Sequence, residues 1–329
     1  MAGGTMSKAR QLADFSSVAP DIGRKNILIN SAFQVSQRGD FTTASSSTNG
    51  NYFVDRWLSA QDVITANKQH LYNQTITSDI TAHTLKITAT SSGTGNFQLS
   101  QPIERVNQEL GNKTLTYSVW VKTNNSNVRL RGIFDDSGWT QFDAVHTGDD
   151  TWQKLSTTFT TGATRSAGHY QVQVLAYNNS NVSIASGDYI EIAQPQVEIG
   201  SVATPFEHRS FGEELALCQR YYEKSYNAET APGSSDATGM VRTSISAIGD
   251  SSSKTYIPFK VAKRAAPAMT AYRDGGATGN WYYLRNGQST ESAVTFAHTG
   301  TQGTNAGPNL GSAWATANTY GHWTADAEL

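Results

Sequence analysis

Apolar and polar residues alternate strictly over residues 115–122. Leu115, Tyr117, Val119 and Val121 fall on one side, Thr116, Ser118, Trp120 and Lys122 on the other. A period of two marks a β-strand with one face in a core. The same alternation sets Tyr170, Val172 and Val174 against Gln171, Gln173 and Leu175, and Ile190 and Ile192 against Glu191. Residues 84–89 repeat it, and residues 26–30 and 52–58 read as further strands. Clusters of Asn, Ser, Gly and Asp, as in residues 123–127 and 177–181, supply the turns between them. Short strands at regular turn spacing, without an amphipathic helix, predict one all-β domain over residues 26–208, a jelly-roll β-sandwich.

One good helix signal interrupts the strands, over residues 209–226. Ser210 is placed to cap it and Glu213 stands three residues on, the spacing of a capping box. Leu215, Leu217, Cys218, Tyr221 and Tyr222 supply its apolar positions, and Arg220 and Lys224 suit its last turn. The helix is expected to link two β domains. Residues 227–329 read as the second, a small β-sandwich, with strands at 240–248, 254–260, 281–284, 293–298 and 322–325. Residues 299–311, rich in Gly, Thr and Asn, read as a long surface loop. Residues 1–25 read as an N-terminal arm: Ser7 would cap a short helix through Phe15, and Pro20 and Gly23 break the chain after it. The arm is either a disordered terminus or an attachment and oligomerisation segment.

Composition narrows the function. Only 16% of the 329 residues are charged, against roughly 25% in an average domain. Aromatics reach 10%, which suits sheets with uncharged polar faces and argues against disorder. The formal net charge is −2, and the densest basic cluster, residues 260–264, is short, so no nucleic-acid partner is expected. Cys218 is the only cysteine, so no disulfide can form within the chain. No segment approaches the ~20 apolar residues that cross a bilayer, and no signal-peptide core opens the chain. Membrane insertion is therefore not expected.

Catalytic signals are weak. Gly249-Asp250-Ser251 after an apolar strand echoes a serine-esterase nucleophile motif, but Thr319 stands where the acid partner of His322 would be needed. Asp135, Asp136 and Asp143 surround Trp139, and Glu191 and Glu198 share a strand region, yet a hairpin turn or sugar contact explains acids beside a Trp as well as hydrolysis does. The chain is read as not an enzyme and as needing no cofactor. Asp149-Asp150 and Asp135-Asp136 are the loops where a structural calcium would be sought.

Aromatic platforms offer the strongest chemistry. A sugar's C–H face stacks on Trp or Tyr while amides and carboxylates hold its hydroxyls. Trp139, with Asp135, Asp136 and Gln141, is the first candidate glycan-binding group. Trp120, opposite the apolar face of its strand, is the second, and Trp281 with Tyr282 the third. Trp57 reads as core.

Several phrases resemble bacteriophage tail-fibre and receptor-binding proteins. They are Asn26-Ile27-Leu28-Ile29-Asn30-Ser31-Ala32-Phe33-Gln34-Val35-Ser36-Gln37-Arg38-Gly39, then Asp55-Arg56-Trp57, the lead Gly111-Asn112-Lys113-Thr114 into its strand, Lys263-Arg264-Ala265-Ala266-Pro267 and Ala325-Asp326-Ala327-Glu328-Leu329. The junction from Gln196 to Tyr222, with Gly200-Ser201-Val202-Ala203-Thr204-Pro205-Phe206-Glu207 at its centre, matches best. In that family such a junction joins a jelly roll like a carbohydrate-binding module to a small C-terminal β domain. The resemblance implies a homotrimeric virion protein, assembled in the host cytoplasm and acting outside it. It further implies a bacterial surface glycan as ligand and other virion proteins as partners of the arm. It transfers no site residue. The alternative is a structural virion protein, a head-decoration or fibre-adaptor protein, that uses the jelly roll for protein contacts.

Overall fold

The computed structural model describes residues 25–62, 64–104, 110–136, 138–163, 168–178, 180–245, 254–276, 278–285, 288–308 and 317–329. The expected arm, Lys25 apart, and Gly249-Asp250-Ser251 lie outside the described residues.

The alternating segments form two six-stranded antiparallel sheets. The first runs β1 (Ser45–Ser46), β4 (Ala66–Thr77), β5 (Ile80–Ala89), β14 (Tyr189–Ile199), β8 (Thr114–Thr123), β11 (Trp152–Thr160). The second runs β10 (Thr140–Val145), β9 (Val128–Ile133), β12 (Tyr170–Ala176), β7 (Phe97–Ile103), β3 (Trp57–Gln61), β2 (Asn51–Val54). A short pair, β6 (Gly93–Thr94) and β13 (Ser183–Ile184), closes one end. From β5 onward the chain passes repeatedly between the sheets, the winding of a jelly roll. One core joins them: Leu115, Tyr117, Val119 and Val121 meet Leu99, Leu130, Val172 and Val174. Burying each such side chain contributes about 1.5–3 kcal/mol.

Two predicted strands are built differently. Residues 52–58 are not one strand but the hairpin β2–β3, turned at Asp55-Arg56 with Arg56 left-handed at φ 69°. Residues 26–30 carry no ladder strand; Ile29 instead exchanges both backbone hydrogen bonds with the Gln101 carboxamide, at 2.8 and 2.7 Å. Trp57 is buried and donates to the Asn30 carbonyl, as core residues do.

The helix α1 covers Phe211–Gln219, with the Ser210 hydroxyl accepting from the Glu213 N–H. It ends earlier than expected, and its buried residues are Glu214, Cys218 and Gln219 rather than a Leu stripe. Tyr222 and Lys224 belong to the next strand, β15 (Tyr222–Lys224), because the chain straightens to pair with a strand a hundred residues on.

That partner, β22 (Ala317–Asp326), is the spine of the second domain. It pairs at one end with β15 and β18 (Ala268–Tyr272), at the other with β16 (Val241–Ile245) and β19 (Asn280–Arg285). The sheet continues through β20 (Gln288–Ala297) and β21 (Gly303–Pro308) to β17 (Thr255–Pro258). The expected loop over residues 299–311 thus contains a strand. Its small residues let it lie close: a Cβ at Gly303 would meet the Ile257 carbonyl at 2.6 Å. Trp281, Trp323, Ile257 and Phe259 fill the core.

A buried polar seam joins the domains. The Arg56 guanidinium pairs with Glu328 and lies 3.7 Å from the Tyr221 ring centre. Arg38 bridges Asp326 at 3.0 Å and Glu328 at 3.2 Å across the Tyr222 ring. Gln37 donates both to Asp55 and to the Tyr222 carbonyl.

Candidate functional site

The outer face of the second sheet carries the most suggestive chemistry. Alternation sends Leu99, Leu130, Val172 and Val174 into the core and their neighbours outward. Register then aligns two rows across the strands. One is Gln141, Arg131, Gln173, Ser100, Leu58; the other is Val145, Arg129, Leu175, Gln98, Ala60. Although they point away from the core, Gln98, Ser100, Gln173 and Leu175 are 7%, 0%, 2% and 1% exposed. The centre of this face is therefore covered, and its accessible part lies at the Trp139 edge.

Trp139 stands at its edge, just before β10, and is 45% exposed. Left-handed Gly138 (φ 100°) precedes it, with open space where a side chain would go. The Arg131 guanidinium lies between two rings, 4.5 Å from the centre of Trp139 and 4.7 Å from that of Tyr177. Its Nε donates to Gln173 Oε1 at 2.8 Å. Burial lowers the Arg131 pKa, and Tyr177 opposes that shift. A bulge between Gln141 and Val145 bends β10 beside the stack.

Three buried polar atoms of this face have no hydrogen-bond partner: Gln98 Oε1, Ser100 Oγ and Arg129 Nε. Each such atom costs about 1–3 kcal/mol if left alone.

The other sequence candidates scatter. Asp135 shares the Trp139 loop but accepts from the Gly162 N–H at 2.9 Å, so it ties two loops together. Asp136 is exposed in the same loop. Trp120 is half-buried on the outer face of the other sheet, paired across strands with Lys154 and Ala193. Trp281 is not a platform: it is fully buried and its indole N–H donates to the His322 carbonyl at 2.8 Å. It faces inward because Gly321, opposite, has no Cβ to collide with its ring. Tyr282, its neighbour, faces outward, 5.5 Å from the Tyr320 ring, and accepts from Arg273 at 2.8 Å. His322 is stacked on Tyr226 at 3.6 Å and bonded to Ser225 and the Asp236 carbonyl, a packing role.

The calcium loops are turned on protein donors. Asp149 accepts from Thr151 and Gln153, and Asp150 from the Tyr189 hydroxyl. Among the described residues no group of three or more His, Cys, Asp or Glu is placed to hold a metal. Among them too, no helix is long and apolar enough to cross a membrane.

Sequence reading missed Arg129, Arg131, Tyr177, Gln98 and Ser100. The alternation Val128-Arg129-Leu130-Arg131 was the available signal; what brings the strands side by side was not.

No family model matches the sequence, and no curated protein matches it significantly. Solved structures do match in part. TmCBM61 in complex with β-1,4-galactotriose is 15% identical, with a TM-score of 0.34 over 54% of this chain and 100% of its own. The CBM22-1 xylan-binding domain from Paenibacillus barcinonensis Xyn10C is 13% identical, with a TM-score of 0.31 over 50% of this chain and 99% of its own. The enzymatically active domain of bacteriophage CBA120 tailspike protein 4 is 13% identical, with a TM-score of 0.30 over 53% of this chain and 21% of its own.

Proposed function

We propose that this protein is a non-catalytic, glycan-binding tail-fibre protein of a phage virion, and that the Trp139 edge of the second sheet's outer face receives a host-surface sugar. One observation carries the reading: a half-exposed Trp139, with the Arg131 guanidinium over its ring, stands at the edge of a sheet face whose row carries Gln141, Arg131 and Gln173. The ring supplies a platform for a sugar's apolar face, and Arg131 and Gln141 supply hydroxyl contacts. The phage setting, the homotrimer and the virion partners of the arm rest on the sequence resemblance.

The test is binding of fluorescently labelled protein to a panel of bacterial strains and to their extracted surface glycans. Trp139→Ala is expected to weaken binding by about tenfold or more, as loss of a central aromatic anchor does. A folded Trp139→Ala variant that binds like the parent would remove this face from the reading. A folded parent that binds no strain and no glycan would favour the structural virion role.

A further inference from the structure

The outer face of the first sheet holds a groove of its own, on the opposite side of the sandwich. It has two lobes, of 380 and 180 Å³, that share Gln194, Phe206 and His208. Trp120, Ser118 and Gln196 line the larger with Lys154 beside them; Gln34, Asn73 and His83 line the smaller.

The groove is built, not incidental. Its wall is the segment from Thr204 to His208, folded back over the strands it has just left. Thr204 donates from its backbone and hydroxyl to Glu198, at 2.8 and 2.7 Å, and the Glu207 N–H donates to Gln196 at 2.9 Å. Phe206 and His208 meet edge to face at 5.0 Å. Between the lobes β14 bulges, with its register shifting between Ala193 and Gln196. Gln194 is left-handed there, at φ 49°, a conformation unfavourable for any residue with a Cβ. Asn26 clamps the bulge, donating to the Pro195 carbonyl and accepting from the Val197 N–H, both at 3.1 Å. Strain held in place by such a clamp gathers at binding sites.

The charge of the lining is one-sided. Among the described residues, four carboxamides, one lysine and two histidines line the lobes, and no Asp or Glu does. Neighbouring carboxylates are engaged: Glu198 with Thr204 and Gln196, Glu207 with Arg209 and the Asn26 N–H, and Glu191, beyond Trp120 on the same face, with the Thr84 hydroxyl. An indole, amides and a lysine suit a ligand with an apolar ring face, hydroxyls and a negative charge.

We propose that this groove is a second saccharide site, independent of the first, and that it takes an acidic sugar bearing a carboxylate. Trp120 would stack on the ring, the carboxamides would hold hydroxyls, and Lys154 would meet the carboxylate.

The experiment is calorimetric titration of the full chain with trigalacturonate, its methyl ester and N-acetylneuraminate. The parent is expected to bind at least one acid, and Trp120→Ala to weaken that binding at least tenfold. Lys154→Gln should weaken the acid at least threefold while leaving any binding of the ester unchanged, and Trp139→Ala should change nothing. Phe206→Ala, outside the sandwich core, replaces Trp120→Ala should circular dichroism show that variant unfolded. Binding of neither acid, equal binding by parent and groove variants, or an ester that binds as tightly as its acid would overturn the proposal. Because Trp139→Ala is read separately on cells, failure here leaves the first site's test intact.

Discussion

His70 shows what one buried ring does to the pH response. It lies on β4 with the Tyr72 ring at 4.4 Å and the His83 ring at 6.0 Å. Burial, then the charge of His83, bring its pKa from 6.5 down to about 4. A folded-state pKa below the unfolded one favours the neutral ring in the native protein. The stability it contributes is therefore complete above about pH 6.5 and lost as the pH falls towards 4, up to about 3 kcal/mol. His70→Phe should flatten that slope, seen as a smaller drop in urea midpoint between pH 7 and pH 5 than the parent shows; an unchanged drop would place the titration elsewhere. At this scale sequence gave uneven guidance. Trp139 and Trp281 both sit among polar neighbours, yet one is at the surface and one in the core. What separates them is Gly321, forty residues beyond Trp281, whose missing side chain makes room for its ring. No local pattern contains that fact.

Elements were readable where their causes are local. The start of α1 follows from Ser210 and the acidic first turn of Glu213 and Glu214. Ser210→Ala should cost about 1 kcal/mol, detectable as a lower thermal midpoint; no shift would mean that packing, not capping, starts the helix. Its end was misread because Tyr222 and Lys224 look helical in sequence and become strand only through β22. The strand β21 escaped for the same reason. Gly303-Thr304-Asn305-Ala306 has loop composition, but close approach to β17 and β20 on either side selects small residues. In the jelly roll, β5, β8, β12 and β14 carry a clear period and are legible in the sequence, whereas β4, β7, β9 and β11 are not among the expected strands. Which strands adjoin, and hence the two rows across the second sheet's outer face, depends on crossovers that alternation does not encode.

For the whole molecule the seam matters most. Arg56 and Arg38 converge on Glu328, 272 residues from Arg56 in the chain. Removing one partner of a buried ion pair costs about 3–5 kcal/mol, because the other charge stays behind. Glu328→Gln should therefore loosen the domains from each other. Calorimetry should show two separated unfolding transitions where the parent shows one, and a single transition at the parent's temperature would deny the seam its coupling role. The phrase Asp55-Arg56-Trp57 was visible as a unit in the sequence, but its division into a seam carboxylate, a seam guanidinium and a core indole was not.

The period-two arrangement of the second sheet's outer face has a consequence for inheritance. Along β9, the residues proposed to border the ligand alternate with residues that meet the core: Arg129 and Arg131 with Val128 and Leu130. A lineage that must follow a changing target can rewrite the first set one codon at a time and never disturb the second. The scaffold then behaves like a comb whose teeth are replaceable while its back is passed on unaltered.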